Sequence, residues 1–192
     1  MITLRGAAVA LALLAAFLAW FTRTPKRTAS DRGLSQLPPN NIPVLAPADG
    51  RVVHADNQSV VAYLSLLDVH AQYAPVAATV ESVERLEGGH ALANTPQSGH
   101  NVGVRTVFAS PCGPVTVTQR TGFFVRRIRN YLEPGDTTRP SDPFGMILFG
   151  SRVDTDLPPK AVVLVKEGDY LYGGHTVIAR VPCQLRAESV FN

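Results

Sequence analysis

Cysteine is almost missing from this 192-residue chain: Cys112 and Cys183 are the only two. They form no Cys-x-x-Cys and have no companion Cys–His spacing, which excludes zinc fingers, thioredoxin-like redox sites and disulfide-dense scaffolds. One disulfide between them is left open. Charge is sparse too, at 17% of residues, and nearly balanced, with 18 Lys+Arg against 15 Asp+Glu giving +3. It lies in short clusters, so nucleic acid is not an expected partner. Also missing are Gly-x-Ser-x-Gly, His-Glu-x-x-His, a P-loop and Gly-x-Gly-x-x-Gly, and the five histidines have no ligand spacing, so no metal is expected. What is present is 45% hydrophobic residues with 15 Pro and 15 Gly spread along the chain. That excludes disorder, collagen and coiled coil, and the length suits one domain with an appendage.

Residues 6–21 read GAAVALALLAAFLAWF without a charge. A bilayer span needs about 17–25 apolar residues, and the run ends on Trp20-Phe21, the aromatic type found at lipid interfaces, with no small-x-small cleavage site before Arg23. The expectation is an uncleaved membrane anchor over 1–21, single-pass or peripheral. Arg23, Lys26, Arg27 and Arg32 outweigh Arg5 and the terminal amine, which places the following domain on the cytoplasmic side. The same cluster would lie against anionic headgroups. Residues 22–41, with Pro38-Pro39, read as a basic linker, and 42–192 as the folded domain.

Within that domain, short β-prone runs alternate with turn signals, at 51–54, 60–67, 78–86, 102–109, 115–119, 146–149, 161–165 and 176–181. The fold class is mainly β, a sandwich or barrel-like domain with few helices behind the N-terminal membrane helix. Residues 123–131 fit a short helix or a strand. Glu133-Pro-Gly-Asp136 and Glu167-Gly-Asp169 form a weak repeat, as paired hairpins would.

Three segments carry chemistry. Ala46-Pro-Ala-Asp-Gly50, by itself, is a turn in which Pro presets φ, Asp bonds the backbone and Gly takes positive φ. In Leu67-Asp-Val-His70, Asp68 and His70 would share a face of a continuing strand, and a His beside an acid suits general acid/base work near neutral pH. Phe149-Gly-Ser-Arg-Val-Asp154 follows an apolar run and reads as the start of a loop or hairpin. It has a chemical option besides: Gly150 does not obstruct its own carbonyl, so the Ser151 hydroxyl can attack it and turn the amide into an ester. Asp49 and His70 are the available base and orienter.

Read in order, the chain gives Arg23-Thr-Pro-Lys-Arg27, Pro47-Ala-Asp-Gly-Arg-Val52, Leu67-Asp-Val-His70 with Ala74-Pro-Val76, Arg126-Arg-Ile128, Phe149-Gly-Ser-Arg-Val-Asp154 and Gly168-Asp-Tyr-Leu-Tyr-Gly173. This series resembles the phosphatidylserine decarboxylase family, in its short archaeal and bacterial type, from about residue 21 to 181. The resemblance implies self-cleavage between Gly150 and Ser151 into a β chain 1–150 and an α chain 151–192. Ser151 would become a pyruvoyl group, which forms a Schiff base with the headgroup of phosphatidylserine and releases CO₂ to leave phosphatidylethanolamine. It further implies His70 as proton donor, Asp49 as orienter during cleavage, Arg126, Arg127 or Arg152 as phosphate contacts, and no metal. The partners implied are the membrane lipid and the chain's own two fragments, with a homo-oligomer left open.

The sequence departs from the family pattern in places. Asn101-Val-Gly103 stands where Asn-Glu-Arg is common, and Tyr73 stands where longer members have a second His. The missing Glu-Arg pair motivates an alternative, a non-processing membrane-anchored β domain of the same fold that only binds lipid or a partner.

Overall fold

A computed structural model of the chain describes residues 4–93, 95–123, 127–148 and 151–183. Among them are two α-helices, α1 (Leu4–Phe21) and α2 (Asp31–Ser35), and a 3₁₀ turn, Pro96–His100. Fourteen strands follow the helices: β1 (Asn41–Leu45), β2 (Gly50–Ala55), β3 (Ser59–Leu64), β4 (Ala71–Tyr73), β5 (Ala78–Leu86), β6 (Gly103–Ser110), β7 (Gly113–Arg120), β8 (Ile128–Asn130), β9 (Thr137–Thr138), β10 (Pro143–Ile147), β11 (Ser151–Asp156), β12 (Val162–Val163), β13 (Tyr170–Leu171) and β14 (Val177–Pro182). The mainly-β class expected from the sequence is what folds.

Eight strands form one antiparallel sheet in the order β13-β2-β3-β11-β7-β6-β5-β9, beside the three-stranded sheets β1-β14-β12 and β4-β10-β8. Bulges at Val52/His54 and Val80/Ser82 add local twist that curls the large sheet. Its inner face, with Val60, Leu64, Phe108, Val117 and Val153, packs on Phe144, Ile147 and Ile178 of the small sheets.

The repeat read in the sequence has a structural counterpart. Asp136 Oδ2 accepts from the Glu133 amide and Asp169 Oδ2 from the Lys166 amide, closing two equivalent turns. The Gly135 amide then donates to the Val80 carbonyl and the Gly168 amide to that of Val52, and both valine amides return a bond to the aspartate carbonyls. Each turn therefore grips one long strand at its bulge. The halves are also stitched together, since the Tyr73 amide donates to Pro47 and the Leu45 amide to Pro75. This lays the segment after His70 alongside the Asp49 turn.

The strand expected over 60–67 stops at Leu64, and residues 65–68 form a turn in which the Asp68 amide donates to the Ser65 carbonyl. Residues 128–130 of the ambiguous stretch are strand β8. The largest difference is β11. Residues read as the start of a loop or hairpin are a central strand between β3 and β7, with Ser151, Val153 and Thr155 facing inward. Two of those three inward positions are hydroxyl residues, which hid the alternation.

α1 exposes apolar side chains from Val9 to Trp20, and only its last residue, Phe21, is buried. Among the described residues no helix is long and apolar enough to cross a membrane. The spanning helix expected at the N-terminus is thus not met by α1 as described.

The two cysteines do meet. Cys112, at the β6–β7 hairpin, is disulfide-bonded to Cys183, just past β14, with Cα atoms 5.2 Å apart and 71 residues between them in sequence. Closing a loop of that length contributes about 4 kcal/mol in the chain-entropy account.

Candidate active site

Ser151 opens β11 opposite Leu64, at the sheet end where β3 stops. Its residue is fully buried, and its hydroxyl has no hydrogen-bond partner among the described residues. Leaving a buried hydroxyl unpaired costs about 1–3 kcal/mol, so an orphan here calls for an explanation. Gly150, Phe149 and Arg126 lie outside the described residues.

His70 is the second orphan. It is fully buried, with the Phe21 ring 4.2 Å from its own. Its Nδ1 lies 2.9 Å from the Asp68 carbonyl oxygen. A carbonyl only accepts, so Nδ1 carries the proton and Nε2 holds a lone pair. That Nε2 is buried and unpartnered among the described residues. Burial holds the imidazole below its ordinary value of 6.5; the Asp68 carbonyl and carboxylate partly oppose this, and Arg23 adds to it. At neutral pH His70 is thus a neutral base with a free lone pair.

Three side-chain atoms are buried and unpartnered among the described residues, Ser151 Oγ, His70 Nε2 and His90 Nδ1, and a short backbone path links the first two. The Ile147 amide donates to the His70 carbonyl at 3.1 Å, and Ile147 is four residues before Ser151, a reach of at most about 14 Å. Behind His70, Gln72 Nε2 donates to the same carbonyl at 2.7 Å, Gln119 Nε2 to Gln72 Oε1, and Asn130 Nδ2 to Gln119 Oε1 and Thr106 Oγ1. This buried amide chain, unseen in the sequence, fixes the His70 main chain against the sheet.

Asp68 acts otherwise than a shared strand face suggests. Its carboxylate closes the 65–68 turn by accepting from the Ser65 amide and takes the Tyr170 hydroxyl. It orients His70 through its backbone carbonyl instead. Burial first, and then Asp68, push the Tyr170 phenol well up, so it stays a donor.

Asp49 does not hydrogen-bond His70. Its Oδ1 accepts from the Gly173 amide at 2.8 Å and its Oδ2 pairs with Arg27 at 3.1 Å. Gly50, which follows it, has φ +145°, and a Cβ there would stand 2.3 Å from the Tyr63 carbonyl oxygen, so glycine at 50 is a steric requirement. Tyr73, at the place of the longer members' second histidine, is buried and donates its hydroxyl to the Pro25 carbonyl. Together with His175 Nδ1 donating to the Thr28 carbonyl, these contacts hold residues 25–28 down on the domain beside the site.

Of the arginines read as phosphate contacts, Arg152 points to the face of β11 opposite Ser151. There Arg152 and Arg120 both bind the Asp154 carboxylate, and Arg152 also donates to Ser98 Oγ. Arg127 is exposed, and its carbonyl accepts from the Leu148 amide, three residues before Ser151. Gly103, one of the departures, is paired with Arg120, whose side chain lies 3.5 Å from where a Cβ at 103 would be. The Gln119 carbonyl oxygen would stand nearer still, at 2.8 Å, so the backbone itself leaves little room for a side chain at 103. Asn101 is buried and ties Ala91 and Thr121 together. Among the described residues there is no cluster of three His, Cys, Asp or Glu placed to hold a metal.

A sequence model described as phosphatidylserine decarboxylase matches residues 14–179. The chain belongs to that family. It is 37% identical over 183 residues to a phosphatidylserine decarboxylase proenzyme of Streptomyces griseus, covering 92% of this chain and 80% of the relative. It is 38% identical over 175 residues to a protein of Halobacterium salinarum provisionally named archaetidylserine decarboxylase proenzyme, covering 87% and 82%. A phosphatidylserine decarboxylase proenzyme of Carboxydothermus hydrogenoformans is 34% identical over 186 residues, covering 88% and 82%. No solved structure matches the chain.

Phe21 is the site residue that a sequence reading of this family member misses, because it sits at the end of a run assigned to the membrane. Its ring excludes water from His70. Phe21→Ala is expected to hydrate the imidazole and raise its pKa toward 6.5. Any reaction that needs neutral His70 then fails at a higher pH, so the acid limb of its pH–rate profile moves up. An unmoved limb in the variant would show that Phe21 does not set the His70 environment.

Proposed function

We propose that the chain is a proenzyme that cuts itself between Gly150 and Ser151 and then decarboxylates a phospholipid with a serine headgroup. The observation that carries this is that Ser151 Oγ and His70 Nε2, linked by a short backbone path, are both buried without a partner among the described residues. His70 Nε2 takes the Ser151 hydroxyl proton as Oγ adds to the Gly150 carbonyl, and the Gly150–Ser151 amide becomes an ester with a free Ser151 amine. Loss of the Ser151 α-proton then breaks the Cβ–Oγ bond and frees a carboxylate on Gly150. Water enters the remaining enamine and ammonia leaves. Ser151 suits the pyruvoyl group that results, being the first residue of a central strand held on both sides by β3 and β7. That group supplies an electron sink for loss of CO₂. His70 Nε2, walled by Phe21, can take a proton from the incoming headgroup ammonium and return it to the carbon that has lost CO₂.

The exposed apolar surface of α1 is the proposed membrane attachment, with 1–21 as anchor, 22–41 as basic segment and 42–192 as the catalytic domain. The excess of Arg23, Lys26, Arg27 and Arg32 favours a cytoplasmic domain. The Cys112–Cys183 disulfide favours an oxidising side instead. Labelling with a membrane-impermeant thiol reagent, after reduction, in intact and opened cells decides between them. The bond also joins residue 112 of the β chain to residue 183 of the α chain, so the cut protein stays one covalent species until reduced.

The test of function is release of labelled CO₂ from phosphatidylserine carrying label in the serine carboxyl, in detergent micelles. CO₂ and phosphatidylethanolamine are expected, with both abolished by prior borohydride. No CO₂ from phosphatidylserine or its ether-lipid counterpart would contradict the proposal and favour a binding domain.

A further inference from the structure

Arg23 is a cation at the site that no carboxylate of the described residues neutralises. Arg27 is paired with Asp49, and Arg120 and Arg152 with Asp154, whereas Arg23 has no acidic partner among the described residues. It is nevertheless held in place. Its Nη1 donates to the Trp20 carbonyl at 2.8 Å, its Nη2 to the Leu67 carbonyl at 3.3 Å, and its guanidinium lies 4.3 Å from the Trp20 ring centre. Two bonds leave three of the five guanidinium N–H groups to serve a ligand.

Its position is specific. Arg23 follows by two residues the Phe21 ring stacked on His70, and it grips the carbonyl of Leu67, three residues before His70. Beside it, Leu66 and Leu67 are 56% and 73% exposed, and α1 presents its own exposed apolar residues. The guanidinium therefore sits between exposed apolar side chains and the segment that carries buried His70, the level at which a lipid's charged linkage would come to rest.

We propose that Arg23 binds the phosphate of the lipid headgroup, an assignment that rests on the decarboxylase reading above. The phosphate keeps its charge through the reaction, so a fixed cation can hold it throughout. A cation on the serine carboxylate would instead stabilise the state that must lose CO₂ and slow the step. Arginine's planar fork suits phosphate oxygens. Arg152 faces away from Ser151, and among the described residues Arg127 has neither the aromatic nor the carbonyl support that fixes Arg23.

The test compares processed wild-type, Arg23→Gln and Arg23→Lys proteins. Binding of glycerophosphoethanolamine, which has the phosphate and no carboxylate, and of O-methylserine, which has the carboxylate and no phosphate, is followed by NMR titration. KM and kcat are measured on phosphatidylserine. Arg23→Gln is expected to weaken glycerophosphoethanolamine binding and raise KM by about 10- to 100-fold, with kcat and O-methylserine binding unchanged. Arg23→Lys should recover part of the loss. Unchanged glycerophosphoethanolamine binding, or equal loss for both ligands, would overturn the assignment. A wild-type chain uncut at Gly150–Ser151 would instead overturn the reading on which it rests.

Discussion

Ser151→Ala is expected to remain a single 20.6 kDa chain with no decarboxylase activity. Without Oγ there is no nucleophile for the Gly150 carbonyl, no ester, and no route to a carbonyl group at residue 151. The same change should not harm the fold. Ser151 faces inward beside Val153, and its hydroxyl has no partner among the described residues, so alanine removes a desolvated polar atom. Loss of cleavage together with an unaltered β-rich circular dichroism spectrum is the expected pair of results. A variant still cut at the same bond would show that the serine hydroxyl is not the attacking group.

His70→Gln is expected to slow self-cleavage by about 10²- to 10⁴-fold, the usual contribution of a positioned general base. The pH dependence gives a sharper signature. Wild-type cleavage needs the neutral imidazole, whose pKa burial holds below 6.5, so its rate is flat from 6.5 upward and falls as pH drops through that lower value. The glutamine variant has no such acid limb. Stability follows the same sign. Between the folded pKa and 6.5 the unfolded chain binds more protons, so His70 makes stability rise with pH in that window, and His70→Gln removes the slope. Equal cleavage rates in the two proteins would exclude His70 as the base.

Much of this was legible in the sequence, and the gaps have physical causes. Long strands such as β5 and β6 announce themselves by alternating Val, Thr and Phe between turn signals. β11 does not, because its inward row is Ser151, Val153 and Thr155, with arginine and aspartate outward. The Asp-x-His pair suggested a strand face. The chain turns at 65–68 instead, so the carboxylate of Asp68 braces the turn while its carbonyl sets the tautomer of His70. Asp49 stood out as an acid near the base, yet its partners, Arg27 and the Gly173 amide, come from segments 22 residues before and 124 after it. Such long-range pairing leaves no local trace. Phe21 and Arg23 were concealed by their place in an apolar run and a basic cluster, each with an adequate explanation at the membrane. The disulfide joins residues 71 apart and depends on the hairpin tip meeting the exit of β14, which only the folded chain displays.

The most direct test of the central claim is the denatured mass of the purified protein with and without reductant. Without reductant the disulfide keeps both fragments together, and gain of water against loss of ammonia barely changes the total, so an unreduced spectrum resembles an uncut chain. After reduction the account predicts two chains, residues 1–150 and residues 151–192, the second with a carbonyl terminus that reacts with hydroxylamine. A single chain of full mass after reduction would contradict it.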